Sequence, residues 1–501
     1  MENINTPQNT PYPQPVYTPP PAPQANRRAF TTADAVISLV CFFLGWMFTH
    51  FVCENIGGLW GGIMWLLFGV TGAAFVKAKK IPVNRMQIIT FAVAVIFCFT
   101  PLFCANGFIN FLSSAFSFML YFYLCITLSG AEAFGEHFVY DLFRAVLYQP
   151  FTCYGDAPKA AGKLLKNKKA GKNVGLAILG LVAALPLTLI VLVLLAYSDD
   201  GFESLVDGWF SNLPEFDMIY VIEFAFAFVV WMYLFGALSS SAEPVSPNYL
   251  DMRKVRFVPD ALGYPAVTPI CLFYIIYIAM QFRYFTAAFT GVLPDGVSYS
   301  SYARQGFFEL CVVAVINLGV IVVLQCFMKR KENDKRTLPL KIYTTAISVF
   351  TLFLIASAIS KMVLYINEMG MTPLRIYTSW FMILLAIVFV LIIISQFVNI
   401  KFWKAAFASF AVMMGILCFG NIDGMIADYN VTAYETGKLE SIDFGVLIDL
   451  GTPSLKHIER VLDGNNEGKV VENAEWAYKV IVEENADRDN FAYFSIPGSI
   501  R

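Results

Sequence analysis

Apolar runs of about 20 residues recur along almost the whole chain of 501 residues, and they constrain the fold more than any other feature. Each run is long enough to cross a hydrocarbon core of roughly 30 Å as a helix, since a helix rises about 1.5 Å per residue. Only 14% of the residues are charged, against about 25% in soluble proteins. The sequence therefore predicts an all-α fold, a polytopic integral membrane helix bundle.

Eleven of these runs qualify as transmembrane helices, which places the two termini on opposite sides of the membrane. The predicted spans are 33–53, 57–76, 86–104, 108–129, 174–196, 218–240, 265–285, 306–328, 340–360, 376–397 and 401–420. The predicted organisation is a Pro-rich disordered tail (1–28), four spans (29–132), an amphipathic and Lys-rich connection (133–173), seven spans (174–420) and an acidic helical domain (421–501).

The distribution of lysine and arginine predicts the orientation, because these residues concentrate in cytoplasmic loops. With the N-terminus inside, the inner connections hold 24 of the 35 basic residues and the outer connections hold four. The other seven lie in the C-terminal domain, and long polar segments translocate largely regardless of charge. We expect a plasma membrane protein with a cytoplasmic N-terminus and an extracytoplasmic C-terminal domain.

The connection after the fourth span predicts a helix that lies on the membrane surface. Its apolar face would carry Phe138, Val139, Leu142, Phe143, Val146 and Leu147, and its polar face His137, Tyr140, Asp141, Arg144 and Tyr148. A basic patch follows, and each of its lysines adds about 1 kcal/mol of attraction to an anionic leaflet. The patch comprises Lys159, Lys163, Lys166, Lys168, Lys169 and Lys172. Anionic lipid is the first predicted partner, and an acidic protein is the alternative.

The C-terminal domain contains 15 acidic residues and no run long enough to span. Thr452 and Pro453 have the chemistry of a helix cap and first turn, and Gly464 can end that helix. A second helix is predicted around 474–484.

Polar groups at membrane depth gather near the outer side and form the candidate binding site, because such groups are costly to bury. Glu309 and Asn317, eight positions apart, share one helix face. The full candidate set is Glu223, Arg283, Tyr302, Arg304, Glu309, Asn317, Lys361 and Arg375. These groups either form a site for an anionic ligand or a proton relay, or they serve as interfacial anchors that pair with one another.

Chemical signatures for catalysis are nearly absent. The chain has no G-x-S-x-G, H-E-x-x-H or P-loop motif, and His50, His137 and His457 lack metal-ligand spacing. We predict no catalytic residues, no metal and no other cofactor, and the near-neutral charge of -2 argues against nucleic acid as a partner. The acidic pair Asp199 and Asp200 is the nearest approach to a metal-binding loop.

The run from Tyr302 through Arg304 and Glu309 to Leu310 resembles a signature of a bacterial multi-pass family, the domain of unknown function 4173 within the broader 4153 group. The segment after the last span is also similar to that family; it comprises Asn421, Ile422, Asp423, Ala427, Tyr429 and Asn430. The resemblance covers roughly 260–465 and singles out Arg304 and Glu309. It implies a bacterial membrane protein and carries no assigned activity.

Three hypotheses for the function remain open. The first is a non-enzymatic envelope protein whose outer domain binds or senses a ligand. The second is a transporter or channel that uses the outer polar cluster, and the third is a membrane-embedded lipid-linked transferase. Convergence of the polar cluster on a through-path would favour transport, an outer cavity beside Asp199 would favour transfer, and a solid bundle would favour sensing.

Overall fold

The protein is described here by a computed structural model. It describes residues 30–52, 58–104, 106–163, 218–243, 256–290, 307–330, 336–464 and 468–487, with isolated positions between 188 and 201; the side chains of 218–221, 281–290 and 484–487 are outside the description. Within these ranges the ordered elements are helices, and ten of them are long and apolar enough to cross a membrane. The predicted span 174–196 lies outside the described residues.

A first bundle is built from five long helices. They are α1 (Thr32–Met47, continued by a π-helical turn Phe48–Val52), α2 (Leu59–Lys79), α3 (Arg85–Cys98, followed after a break by the short α4, Thr100–Phe103), α5 (Gly107–Leu128) and α9 (Met218–Ser241). Pro101 is the second residue of α4 and explains the break, because proline lacks the amide hydrogen that a continuous helix needs there. The core of this bundle is rich in aromatic rings, among them Phe68, Phe122 and Tyr121.

Between α5 and α9 three short helices lie at one end of this bundle: α6 (Phe138–Leu147), α7 (Gln149–Thr152) and α8 (Asp156–Ala161). The predicted helix, which included His137 to Tyr148, is present as α6, but its predicted polar face is wrong at one residue. Asp141 is 2% exposed, whereas Phe143 and Leu147 are more than half exposed. The prediction fails for Asp141 because Phe138, Leu142 and Val146 pack on the bundle core. The neighbouring face of the helix, which carries Asp141, is then buried as well. Burial raises the pKa of Asp141 to about 6, although His137 and Arg144 favour its charged form.

A second bundle contains α10 (Asp260–Thr290), α11 (Phe307–Phe327), α12 (Leu338–Met369) and α13 (Pro373–Phe397) around a separate core. The last span, α14 (Phe402–Phe419), joins the two bundles, since it packs on α13 and on α5. Its Met414, Leu417 and Cys418 belong to the core of the first bundle.

The C-terminal unit follows α14 without a long linker. It consists of α15 (Ile422–Glu435), α16 (Phe444–Leu450), a short 3-10 turn (Thr452–Ser454), α17 (Leu455–Asp463) and α18 (Lys469–Asp487) around its own apolar core. The two predicted helices correspond to α17 and α18. The predicted cap is displaced, because Gly451 caps the 3-10 turn and Thr452 is its first residue.

Contacts between helix ends define two faces of the membrane domain. The N-terminal face carries the start of α1 and the end of α2, joined by Asp34 and Lys79. The C-terminal face carries the ends of α4 and α14, where Phe103 contacts Phe419, and it also carries the C-terminal unit.

Candidate functional site

Five of the eight residues of the predicted polar cluster can be placed. Glu223, Glu309, Asn317, Lys361 and Arg375 are on described helices. Tyr302 and Arg304 lie outside the described residues, and so does the side chain of Arg283 on α10. Lys166, Lys168, Lys169 and Lys172 of the basic patch, as well as Asp199 and Asp200, also lie outside them.

Glu223, in the second turn of α9, is paired with a histidine at the end of α1. Its Oε2 lies 2.9 Å from His50 Nδ1, and the His50 ring stacks on Trp46 at 5.3 Å between centroids. His50 belongs to the π-helical turn, a geometry that often marks functional positions. The sequence offered no sign of this pair, because the two residues are 173 positions apart.

The opposite charges of Lys361 and Glu309 act on each other at the C-terminal face of the second bundle. Lys361, on α12, is 6% exposed, and the carboxylate of Glu309 at the start of α11 attracts its ammonium group. A buried ammonium group needs such compensation, because losing water disfavours its charge.

Arg375 lies near this pair but is engaged in a structural role. Its guanidinium is 4.1 Å from the centroid of the Tyr365 ring and donates to the carbonyl oxygens of Met369 and Gly370. These are among the carbonyls that a helix leaves unpaired at its C-terminus, so Arg375 caps α12.

Asn317 connects three helices in the middle of the second bundle. Its Oδ1 accepts from the Tyr274 hydroxyl of α10 at 2.5 Å, and its Nδ2 donates to Thr351 Oγ1 of α12 at 2.9 Å. Eight residues separate it from Glu309, which places it about 12 Å deeper along α11. Asn317 is 1% exposed and has a partner for each side-chain atom, so the described contacts make it an interhelical link.

A row of polar side chains continues from Asn317 toward the N-terminal face. Gln325 Nε2 donates to Thr344 Oγ1 at 3.1 Å and to Gln396 Oε1 at 3.4 Å. We call the set Gln325, Thr344, Ser348, Thr351, Asn317, Gln396 and Lys361 the polar row; six of its members are buried and Gln325 is half-buried. The spacing of 344, 348 and 351 places three hydroxyl groups on one helix face, and this sequence signal could have identified the row.

The C-terminal unit is attached to the turn between α12 and α13. Asn430 of α15 accepts from the Met371 amide at 2.6 Å through Oδ1 and donates to the Met371 carbonyl at 2.9 Å through Nδ2. Gly370 has φ 77°, and a Cβ there would overlap Asn430 Oδ1. Met371 and Ile376 also pack against the core of the C-terminal unit. We call this contact the Asn430 junction.

A buried carboxyl lies beside the junction. Asp423, in the first turn of α15, is 5% exposed, and its Oδ1 has no hydrogen-bond partner among the described residues. Burial raises its pKa to about 6. It acts electrostatically on Tyr377 of α13 and on Cys104, so it lies where the C-terminal unit meets both bundles.

The described part of the chain contains no group of three or more His, Cys, Asp or Glu residues that could hold a metal ion. Lys159 and Lys163 lie at the N-terminal face. Lys159 Nζ is 3.3 Å from Asp156 Oδ1, and Lys163 donates to the carbonyl of Phe30.

The helices and their apolar lengths define the class of the molecule: it is an all-α, multi-pass integral membrane protein. The chain belongs to the DUF4153 family, a domain of unknown function whose model matches residues 91–461, about three quarters of its length. No curated protein and no solved structure matches the chain. Both the polar row and the Asn430 junction fall inside the matched region.

Proposed function

We propose that the protein is a non-enzymatic bacterial envelope protein in which the C-terminal unit binds a ligand outside the cell and passes the event to the membrane helices. The Asn430 junction carries this proposal. One buried side chain holds both backbone groups of Met371, in the turn that connects α12 to α13. A displacement of α15 must therefore either move this turn or break two hydrogen bonds.

Because breaking the Asn430 junction costs free energy, a movement of the C-terminal unit should move the turn rather than leave it in place. Each hydrogen bond is worth about 0.5–1.5 kcal/mol, and a buried amide left without partners costs more. The core of the C-terminal unit adds apolar contact with Met371 and Ile376 on either side of the turn. The unit and the turn should then move together.

The turn leads directly to the polar row. α12 runs from Met369 back through Thr351 and Thr344, so a shift at the turn changes the hydrogen bonds that these two residues accept from Asn317 and Gln325 of α11. Packed cores switch between discrete arrangements rather than deforming smoothly. The hydrogen bonds of the polar row can therefore change from one arrangement to another when the turn moves. Within the family, the run 302–310 favours the narrower group 4173.

The orientation is part of the proposal, and it rests on the excess of lysine and arginine in the inner connections. Under it the C-terminal unit is extracytoplasmic, and the N-terminal face meets the anionic inner leaflet of the plasma membrane through Lys159, Lys163 and the lysines that follow. Single cysteines at positions 165, 333 and 470, in a background without other cysteines, test it by labelling in intact cells. Position 470 should react with an impermeant reagent and the other two should not; labelling of 470 only after permeabilisation would overturn the proposal.

Transport is the second candidate, and the polar row favours it. Polar residues inside a bundle mark ion and proton pathways in many transporters, and this row extends from Lys361 to Gln396 along most of the span. Proton and ion flux into liposomes that contain the purified protein separates the two functions. Flux that is abolished by Asn317→Leu would establish transport. Absence of flux would exclude transport of these ions and favour the coupling function.

A further inference from the structure

A cavity of about 190 Å³ lies at the N-terminal face of the first bundle, between α1, α2 and α9. It is lined by Phe30, Asp34, Phe75, Lys79, Phe235, Ser239 and Ala242. It therefore combines one carboxylate, one ammonium, one hydroxyl and three aromatic rings. Its volume is below the roughly 300 Å³ at which sites for drug-sized ligands begin, so it suits a smaller group.

The two oxygens of Asp34 are unequally satisfied. Oδ2 accepts from Thr31 N at 2.7 Å, from Thr31 Oγ1 at 2.8 Å and from Lys79 Nζ at 2.7 Å. Oδ1 has no hydrogen-bond partner among the described residues, although Asp34 is only 1% exposed. A buried carboxylate oxygen without a donor is costly, and a ligand that brings an N–H group would remove this cost.

Lys79 supplies the opposite charge in the same cavity. Its ammonium has three N–H groups and donates one of them to Asp34. Its side chain is 25% exposed, which leaves room for an anionic partner. The cavity thus offers an acceptor for a cation and a donor for an anion a short distance apart.

We propose that this cavity binds a zwitterion of the phosphoethanolamine class. Its primary ammonium donates to Asp34 Oδ1, and its phosphate accepts from Lys79. Both residues lie at the ends of membrane-crossing helices, at the depth of lipid headgroups, so the headgroup of an aminophospholipid is the source that the position favours. A choline headgroup carries no N–H group and cannot satisfy Asp34 Oδ1.

Native mass spectrometry of the full-length protein, released from membranes that contain equal amounts of phosphatidylethanolamine and phosphatidylcholine, tests the proposal. Retained phosphatidylethanolamine should exceed phosphatidylcholine about tenfold, the value of one hydrogen bond to a charged group. Asp34→Asn should abolish the preference, since its amide retains an acceptor oxygen for Thr31 and places a donor or a neutral oxygen where the ligand ammonium must sit.

Two further variants separate the site from a folding defect. Ala242→Leu fills the cavity and leaves the Asp34–Lys79 pair intact, so it should also abolish the preference. Lys77→Gln removes an exposed charge from the same turn of α2 outside the cavity lining and should retain it. Preference that survives in both Asp34→Asn and Ala242→Leu, or equal retention of both lipids by the unaltered protein, would overturn the lipid assignment.

Soluble phosphoethanolamine and phosphocholine, added separately in a melting assay, distinguish the two sources of the ligand. Stabilisation by phosphoethanolamine alone, without enrichment of the lipid, would assign the same chemistry to a soluble zwitterion. The cavity also has the volume of about six water molecules, at roughly 30 Å³ each. No preference for an ethanolamine group in either assay would mean that Asp34 Oδ1 faces water only, and the proposal would fail.

Discussion

The two helix bundles bury different chemistry. In the first, buried amides such as Gln87 and Asn110 lie near helix ends, and the middle is filled by stacked rings such as Phe68 and Phe122. In the second, Asn317 and Thr351 meet at mid-depth. Polar groups at this depth are costly and tend to be functional, whereas ring packing fixes shape. Under the proposed coupling function, the first bundle is the scaffold and the second is the part that responds.

The largest expected effect tests the close packing of the scaffold. At Gly62 of α2 a Cβ would overlap the carbonyl oxygen of Cys98 on α3. Gly62→Val should therefore force the two helices apart and destabilise the fold by about 3 kcal/mol, the upper part of the range for overpacked cores. Gly72→Ala on the same helix meets only an ordinary contact with Leu238 and should melt like the unaltered protein. Equal melting of Gly62→Val and Gly72→Ala would contradict the close packing.

The second prediction is a gain in stability, and it concerns Asp423 beside the Asn430 junction. Burial raises the pKa of Asp423 to about 6 from 3.8 in the unfolded chain, so the folded state holds its proton more tightly. Stability should fall as pH rises from about 4 to about 6 and stay low above that range. Asp423→Asn should remove this loss and stabilise the protein at pH 7 by about 1–3 kcal/mol.

Melting temperatures of the two proteins across pH 4 to 7 check this expectation. Asp141→Asn is the matched variant in the scaffold, because burial raises the pKa of Asp141 to the same value. If only Asp141→Asn raises stability, Asp423 is charged and has a partner. A gain in stability for Asp423→Asn, accompanied by weaker coupling, would show that this carboxyl costs stability and contributes to function.

A smaller loss is expected in the polar row. Asn317→Leu removes the partner of both Tyr274 and Thr351, and interhelical hydrogen bonds in membranes are worth about 0.6–1.7 kcal/mol. Chemical denaturation in micelles should show a loss of about 1–2 kcal/mol. Ser117→Ala in the scaffold, which removes one bond to the Ala94 carbonyl, should cost less. A smaller loss at 317 than at 117 would remove the distinction between the bundles.

The smallest effect concerns the pair of His50 and Glu223. Both side chains are partly exposed, and such pairs contribute at most about 1 kcal/mol. His50→Gln and Glu223→Gln should each lower stability slightly, and the double change should cost less than their sum. Additive losses would show that the two residues act separately.

The sequence predicted the membrane helices well because each span needs a long apolar run, and the ends of such runs are visible without an alignment. Three described spans, Thr32–Val52, Arg85–Phe103 and Gly107–Leu128, begin and end one residue away from the predicted bounds. The short helices α15 and α16 were missed, since neither has a sustained apolar period and both are held by contacts with distant segments. Asp141 was misplaced because a periodic pattern does not show which faces adjoin protein and which adjoin lipid.

The candidate site was harder to predict than the fold. Membrane depth alone pointed to Glu223, Asn317 and Lys361, but depth does not identify partners. His50, Tyr274 and Met371 each meet their partner across more than 40 residues of sequence. Those pairings depend on which helices are neighbours, and composition and spacing contain no information about that arrangement.

Hydrogen exchange of the Asn430→Ala variant tests the central claim, that the C-terminal unit is coupled to α12 and α13. Loss of the junction should raise exchange about tenfold in two places, α15 and the membrane-side segment 366–372, because about 1.4 kcal/mol of hydrogen bonding is removed from both. The control variant is Thr436→Ala, which removes a hydrogen bond within α15 itself. It should leave hydrogen exchange unchanged in both segments. Faster exchange confined to α15, with 366–372 unchanged, would show that the unit is attached without being coupled and would contradict the account.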